Sequence, residues 1–220
     1  MRPRAAAGDP AGPITIEAAR ALYRRDGGGH DFDHVLRVTA LAERIAQAEG
    51  ADLAVVRAAA LLHDAGASSD RENHHLIAAK LAREALAGQP ADFVAAVAHA
   101  IEAHRFRAEP APRILEAQVL SDADKLDAIG AIGVARAFAF AGAHGNALLR
   151  APWRAIAAEA GDAVERAQTL GADYTPVHEF VYKLDRIPDR LFTATARAIA
   201  AERLAFMREF FDRLDGEAAG

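Results

Sequence analysis

Apolar residues recur at spacings of three and four along nearly the whole chain, and no stretch alternates with a period of two. The periodicity predicts helices over about residues 14–25, 32–49, 53–64, 74–87, 91–104, 112–129, 131–142, 162–171, 175–186 and 189–214, so the expected fold class is all-α. Several ends carry their own signals. Gly50 is placed to close one helix in a left-handed turn, and Asp52 to cap the next. Asp31 is placed to cap the helix from Phe32, with Asp33 in its first turn, and Pro90 and Pro112 fall where first-turn prolines are tolerated. The least periodic stretch, "GAHGNALLRAPWRAIAAEAGD", reads as a flap or a connection. The segment ending "LAFMREFFDRL" reads as an amphipathic helix whose aromatics serve a core or a dimer contact. The organisation expected is a tail over 1–13, a single helical domain over 14–215 with a flap or insertion over 143–175, and a tail over 216–220.

Polar residues interrupt three of these apolar rows. In the helix from Phe32, the row Val38, Leu41, Ile45 extends back one turn to His34. In the helix from Leu53, the row Leu53, Val56, Ala60 arrives at His63, with Asp64 beside it. In "ILEAQVLSDADKLDAIG", Leu115, Val119, Leu126 and Ile129 line one face and Asp122 fills the gap in it, whereas Asp124 lies about 200° round the helix. Each residue alone reads as a satisfied core residue as readily as a ligand. Together they are two imidazoles and two carboxylates pointed inward from different helices, which is a sulfur-free ligand set for a divalent first-row metal. A cation also removes the cost of burying unpaired carboxylates.

Composition narrows the classes. With 220 residues, 52% hydrophobic and 26% charged, the chain can bury a full core. A formal charge of -5 offers no basic field for nucleic acid or anionic membrane. The absence of cysteine removes disulfides, thiolate nucleophiles and cysteine metal sites. The start "MRPRAAAGDPAGP" has no apolar signal region, and the apolar run Ala128–Ala143 is interrupted by Arg136 and too short for a span, so a cytoplasmic protein is expected.

The words that carry these residues are "HDFDHVLRV", "ALLHDAG" and "VLSDADKLDAIGAIG", and "HAIEAHRF" accompanies them. They resemble the HD-domain superfamily of metal-dependent phosphohydrolases, whose signature H…HD…D sits on a helical bundle, and in particular its small stand-alone bacterial members. The resemblance covers about residues 20–142 well and 176–214 more loosely. It implies one divalent ion held by His34, His63, Asp64 and Asp122, and hydrolysis of a phosphoester or phosphoanhydride bond, often in a nucleotide. Such an ion polarises a phosphoryl oxygen and acidifies water, after which phosphoryl transfer needs mainly positioning and charge stabilisation. Mn²⁺ is the ion expected first, because imidazole ligands suit a Mg²⁺ site poorly; Mg²⁺, Co²⁺, Ni²⁺, Fe²⁺ and Zn²⁺ remain open.

Other polar residues fall beside this set. His30 is a candidate for phosphate or a bound water, Arg37 for an orienting pair with a ligand carboxylate, and Lys125 for phosphate. In related families an acidic residue after HD assists the attacking water, a role that Asp70 or Glu72 would take. His104 continues the Phe93, Val97, Ala100, Ile101 face and is a candidate to protonate the leaving oxygen or bind phosphate, and His99, off that row, is a further candidate to meet the substrate. The leading expectation is cleavage of a nucleoside triphosphate to monophosphate and pyrophosphate. Two alternatives stand beside it. One is a nucleotide-binding regulatory module with weak turnover. The other is a two-metal site of the phosphodiesterase or oxygenase type, in which His74 or His75 with His99 or His104 adds ligands. A homodimer is left open.

Overall fold

The computed structural model describes residues 12–23, 32–66, 73–105, 110–159 and 169–220. Among these residues there are helices and no strands, as the periodicity predicts. The chain divides into two compact units, Met1–Ala123 and Asp124–Gly220, and the division falls inside one unbroken helix.

In the first unit, helices α1 (Ile16–Leu22), α2 (Phe32–Glu49), α3 (Leu53–Leu62), α4 (His74–Ala85) and α5 (Ala91–Ala103) precede α6 (Leu115–Asp127). Helix α3 is the hub, packing on α1, α2, α4 and α5. Its sequence explains this: Val55, Val56 and every residue from Ala58 to Leu62 are buried. Alanines at three of those positions let neighbouring helices approach closely, while Leu61 and Leu62 each contribute roughly 1.5–3 kcal/mol of burial. The predicted ends hold. Gly50 adopts φ +77°, and Asp52 Oδ1 accepts from the N–H groups of Ala54 and Val55 at 2.8 and 3.2 Å. Glu116 of α6 accepts the Asp52 N–H at 2.9 Å, and the Ser121 hydroxyl donates to the His104 carbonyl at 3.2 Å. Helix α6 is thus tied to the start of α3 and the end of α5.

In the second unit, α7 (Gly130–Ala143), α8 (Trp153–Ala158), α9 (Pro176–Tyr182) and α10 (Ala194–Ala219) are joined by 3-10 turns at Gly171–Asp173 and Leu184–Arg190. Phe180 of α9 stacks on Phe211 of α10 with ring centroids 4.5 Å apart, so part of the aromatic set on the last helix is core. Helix α8 occupies part of the stretch expected as flap or connection. It is pinned by the Trp153 indole N–H, which donates to Asp212 at 2.7 Å. Helix α6 begins at Leu115 rather than 112, because Pro112 precedes it by three residues instead of opening it, and Pro90 likewise stands just before α5. The expected cap Asp31 and most of the expected helix over 162–171 lie outside the described residues.

Candidate metal centre

Asp64 is the centre of a ring of imidazoles within the first unit. Its Oδ2 lies 3.6 Å from His63 Nε2 and 3.8 Å from His34 Nε2. Its Oδ1 lies 3.3 Å from His74 Nε2 and 3.9 Å from His104 Nε2. Asp64, His34, His63 and His104 are buried and His74 is largely so. Each reaches the cluster from a different place: His34 from α2, His63 from the end of α3, His74 from the start of α4, and His104 from the end of α5.

The two helix-end histidines share one device. His63 and His104 stand at the C-caps of α3 and α5 in right-handed helical geometry. Their Nδ1 atoms meet the carbonyls three residues back, Ala60 at 2.8 Å and Ile101 at 2.6 Å. A carbonyl only accepts, so Nδ1 carries a proton, and Nε2, on the Asp64 side, is the nitrogen that would ligate a metal. That tautomer is the one a metal ligand requires, and the same bond satisfies a helix-end carbonyl that would otherwise be orphaned. Gly66 then turns the chain away at φ +86°, and a Cβ there would come within 2.7 Å of Ile77 on α4. Glycine is required on both counts.

The donor set fits a divalent cation. The ligand atoms of Asp64, His74 and His104 lie within 4.8 Å of one another, as a group able to hold an ion. The residues here supply imidazole nitrogen and carboxylate oxygen without sulfur, the donors that suit a divalent first-row ion.

The structure sorts the other sequence candidates. Asp122 is fully buried, as its place in the apolar row predicts. Of the two aspartates of "SDAD", however, it is the half-buried Asp124 that belongs to a three-residue group of possible metal ligands. An apolar row selects the most sealed position, whereas a ligand must face a space that admits an ion and water. His104 points inward as expected and reaches Asp64. His99 does not join the cluster: its Nε2 accepts the Arg113 N–H at 3.1 Å and serves the connection into α6. Arg37 is half-buried one turn from His34. Lys125 is buried rather than solvated, its ammonium 5.9 Å from the centre of the Phe192 ring. His30, Asp70 and Glu72 lie outside the described residues. Between His74 and His75, which the sequence left open, the structure brings His74 to Asp64. His75 is buried beside it, with its Nδ1 without a hydrogen-bond partner. Burial first, then the positive charge of Arg105, lowers the His75 pKa below its ordinary value.

Residues 31–129, which carry this cluster, match the family model of the HD domain. The chain belongs to the HD-domain superfamily of metal-dependent phosphohydrolases and is an enzyme of that class. Within it, the chain is 34% identical over 206 residues to YpgQ of Bacillus subtilis, covering 91% of this chain and 90% of YpgQ. The crystal structure of YpgQ in complex with ADP superimposes with a TM-score of 0.69 at 32% identity, over 92% of each chain. An HD-superfamily hydrolase from Bacillus thuringiensis gives a TM-score of 0.69 at 27% identity, over 93% of this chain and 95% of its own.

Proposed function

We propose that this hydrolase cleaves the phosphoanhydride of a nucleotide, taking a nucleoside triphosphate and water to the monophosphate and pyrophosphate. The observation that carries the reading is the Asp64 cluster, in which His63 and His104 are held with their Nε2 atoms inward. Support for a nucleotide comes from the crystal structure of YpgQ in complex with ADP, because YpgQ resembles this chain along nearly its whole length. His34, His63 and Asp64 would hold one divalent ion, with Mn²⁺ first in preference. The fourth ligand would come from α6, from Asp124 in preference to Asp122. When bound, the ion supplies Lewis acidity to a phosphoryl oxygen and acidifies water. The chain's own residues fix the ligand tautomers and keep the carboxylate in place. A nucleotide panel with Mn²⁺, in which phosphate and pyrophosphate are detected separately, tests the bond attacked. Pyrophosphate with monophosphate is expected, and release of single phosphate alone would overturn the assignment.

One observation favours a second reading, a two-metal site. Asp64 shows its two oxygens to two different pairs of imidazoles, Oδ2 to His34 and His63 and Oδ1 to His74 and His104. A carboxylate so placed can bridge two ions. Metal analysis of the wild type and His74→Ala decides between them. A fall from about two bound ions to about one supports the second reading, and an unchanged single ion supports the first.

A further inference from the structure

We propose that Tyr23 is a positioning residue for the turn that carries His63 and Asp64, its hydroxyl holding the backbone on both sides of His63. The end of α3 shows why such a residue is needed. The last carbonyls of a helix have no partner within it. At this end Ala60 O is taken by the His63 ring at 2.8 Å and Leu62 O by the Ala65 N–H at 3.0 Å. Leu61 O is taken from outside, by the Tyr23 hydroxyl at 3.0 Å, across 38 positions of sequence. The backbone N–H of Asp64 is hydrogen-bonded to that same hydroxyl. One oxygen thus donates to the residue two before His63 and accepts from the residue after it. A phenol keeps its proton to about pH 10, so at neutral pH the hydroxyl has the proton it donates to Leu61 O.

The ring is fixed as firmly as the hydroxyl. Tyr23 is the C-cap of α1, its own N–H bonded to Arg20 O at 3.2 Å. Its ring meets Phe32 edge-on at 5.1 Å, and Phe32 opens the helix that presents His34 two residues later. The tyrosine therefore touches the start of one ligand-bearing helix and the end of another. It links the two through ring contact and backbone hydrogen bonds rather than through a ligating side-chain atom.

The inference rests on His34, His63 and Asp64 forming a metal site, and the experiment separates the two claims. Tyr23→Phe removes the hydroxyl and keeps the ring. Thr15→Ala removes the N-cap of α1, whose side chain accepts the Ala18 N–H at 3.2 Å, and loosens that helix while sparing the hydroxyl. Mn²⁺ affinity is read from the free-ion EPR signal, and amide hydrogen exchange at Asp64 is read in metal-free protein. Tyr23→Phe is expected to weaken Mn²⁺ binding about 10-fold or more, as loss of a ligand-orienting partner does, and to speed exchange at Asp64. Thr15→Ala is expected to lower the melting temperature and leave both readings unchanged. Wild-type affinity in Tyr23→Phe, or equal weakening by Thr15→Ala, would overturn the proposal. If the wild type takes up no Mn²⁺, the metal reading fails instead. Exchange at Asp64 then decides alone: faster in Tyr23→Phe upholds the clamp, and unchanged removes it.

Discussion

The two aspartates of "SDAD" sit two positions apart on one helix and have different work to do. Asp122 is sealed from solvent, so its loss leaves the polar groups around it without their partner, a cost of about 1–3 kcal/mol. Asp124 is half-buried and belongs to a group of possible metal ligands. Asp124→Ala is therefore expected to abolish Mn²⁺ uptake with little change in metal-free stability. Asp122→Ala is expected to lower stability and to keep metal uptake in the folded fraction. Isothermal titration with Mn²⁺ beside urea unfolding checks both, and loss of metal uptake in a stably folded Asp122→Ala would reverse the assignment. At this scale the sequence shows residue types and rows well. His34, His63 and His104 were legible because each ends or extends an apolar row, and Asp64 because it stands beside His63 in "ALLHDAG". Tyr23 was not, because its role depends on a carbonyl 38 positions away that no local pattern marks.

At the scale of elements, helix ends do most of the chemistry. The C-caps of α3 and α5 aim imidazoles inward, and the N-cap of α9 uses a histidine in the opposite sense. Thr175 and His178 form a capping box there, with His178 Nδ1 accepting the Thr175 N–H at 3.1 Å. An accepting nitrogen must be unprotonated, and burial lowers the His178 pKa below its ordinary 6.5. Between the two values the unfolded chain binds more protons than the folded one. The stability from this group is full above 6.5 and is lost as pH falls through the lower folded value. Glutamine at this position keeps the capping box and does not titrate. His178→Gln is thus expected to flatten the fall in metal-free melting temperature from about pH 7.5 to about pH 5 relative to wild type. Equal pH slopes would show that the cap does not carry the dependence. Element types and the caps at Gly50 and Asp52 were readable from the chain. The start of α6 and the existence of α8 were not. Pro112 is compatible with either side of a helix start, and α8 is held by Asp212, which is remote in sequence.

For the molecule as a whole, a buried carboxylate among four imidazoles couples metal binding to folding, since an ion that binds only the folded chain stabilises it by mass action. Mn²⁺ at about 100 times its dissociation constant contributes about 2.7 kcal/mol, which for a chain of this length raises the melting temperature by about 5–10 °C. Differential scanning fluorimetry with and without chelator measures this, and an unchanged transition at saturating Mn²⁺ would count against a metal held by the fold. No single helix among the described residues is long and apolar enough to cross a membrane.

The sequence by itself determined that the protein is helical, that polar residues of metal-binding type stand on core-facing rows, and that its motifs are those of an HD hydrolase. These are properties of local spacing, which helical geometry converts into faces without reference to the rest of the chain. The tertiary structure decided which histidines share Asp64, and it separated the sealed Asp122 from the half-buried Asp124, which groups with residues of metal-binding type. It also brought the Tyr23 hydroxyl to the Leu61 carbonyl, two residues before His63. Those outcomes depend on distances between helices, and a spacing rule along one helix carries no information about the residue that faces it from another.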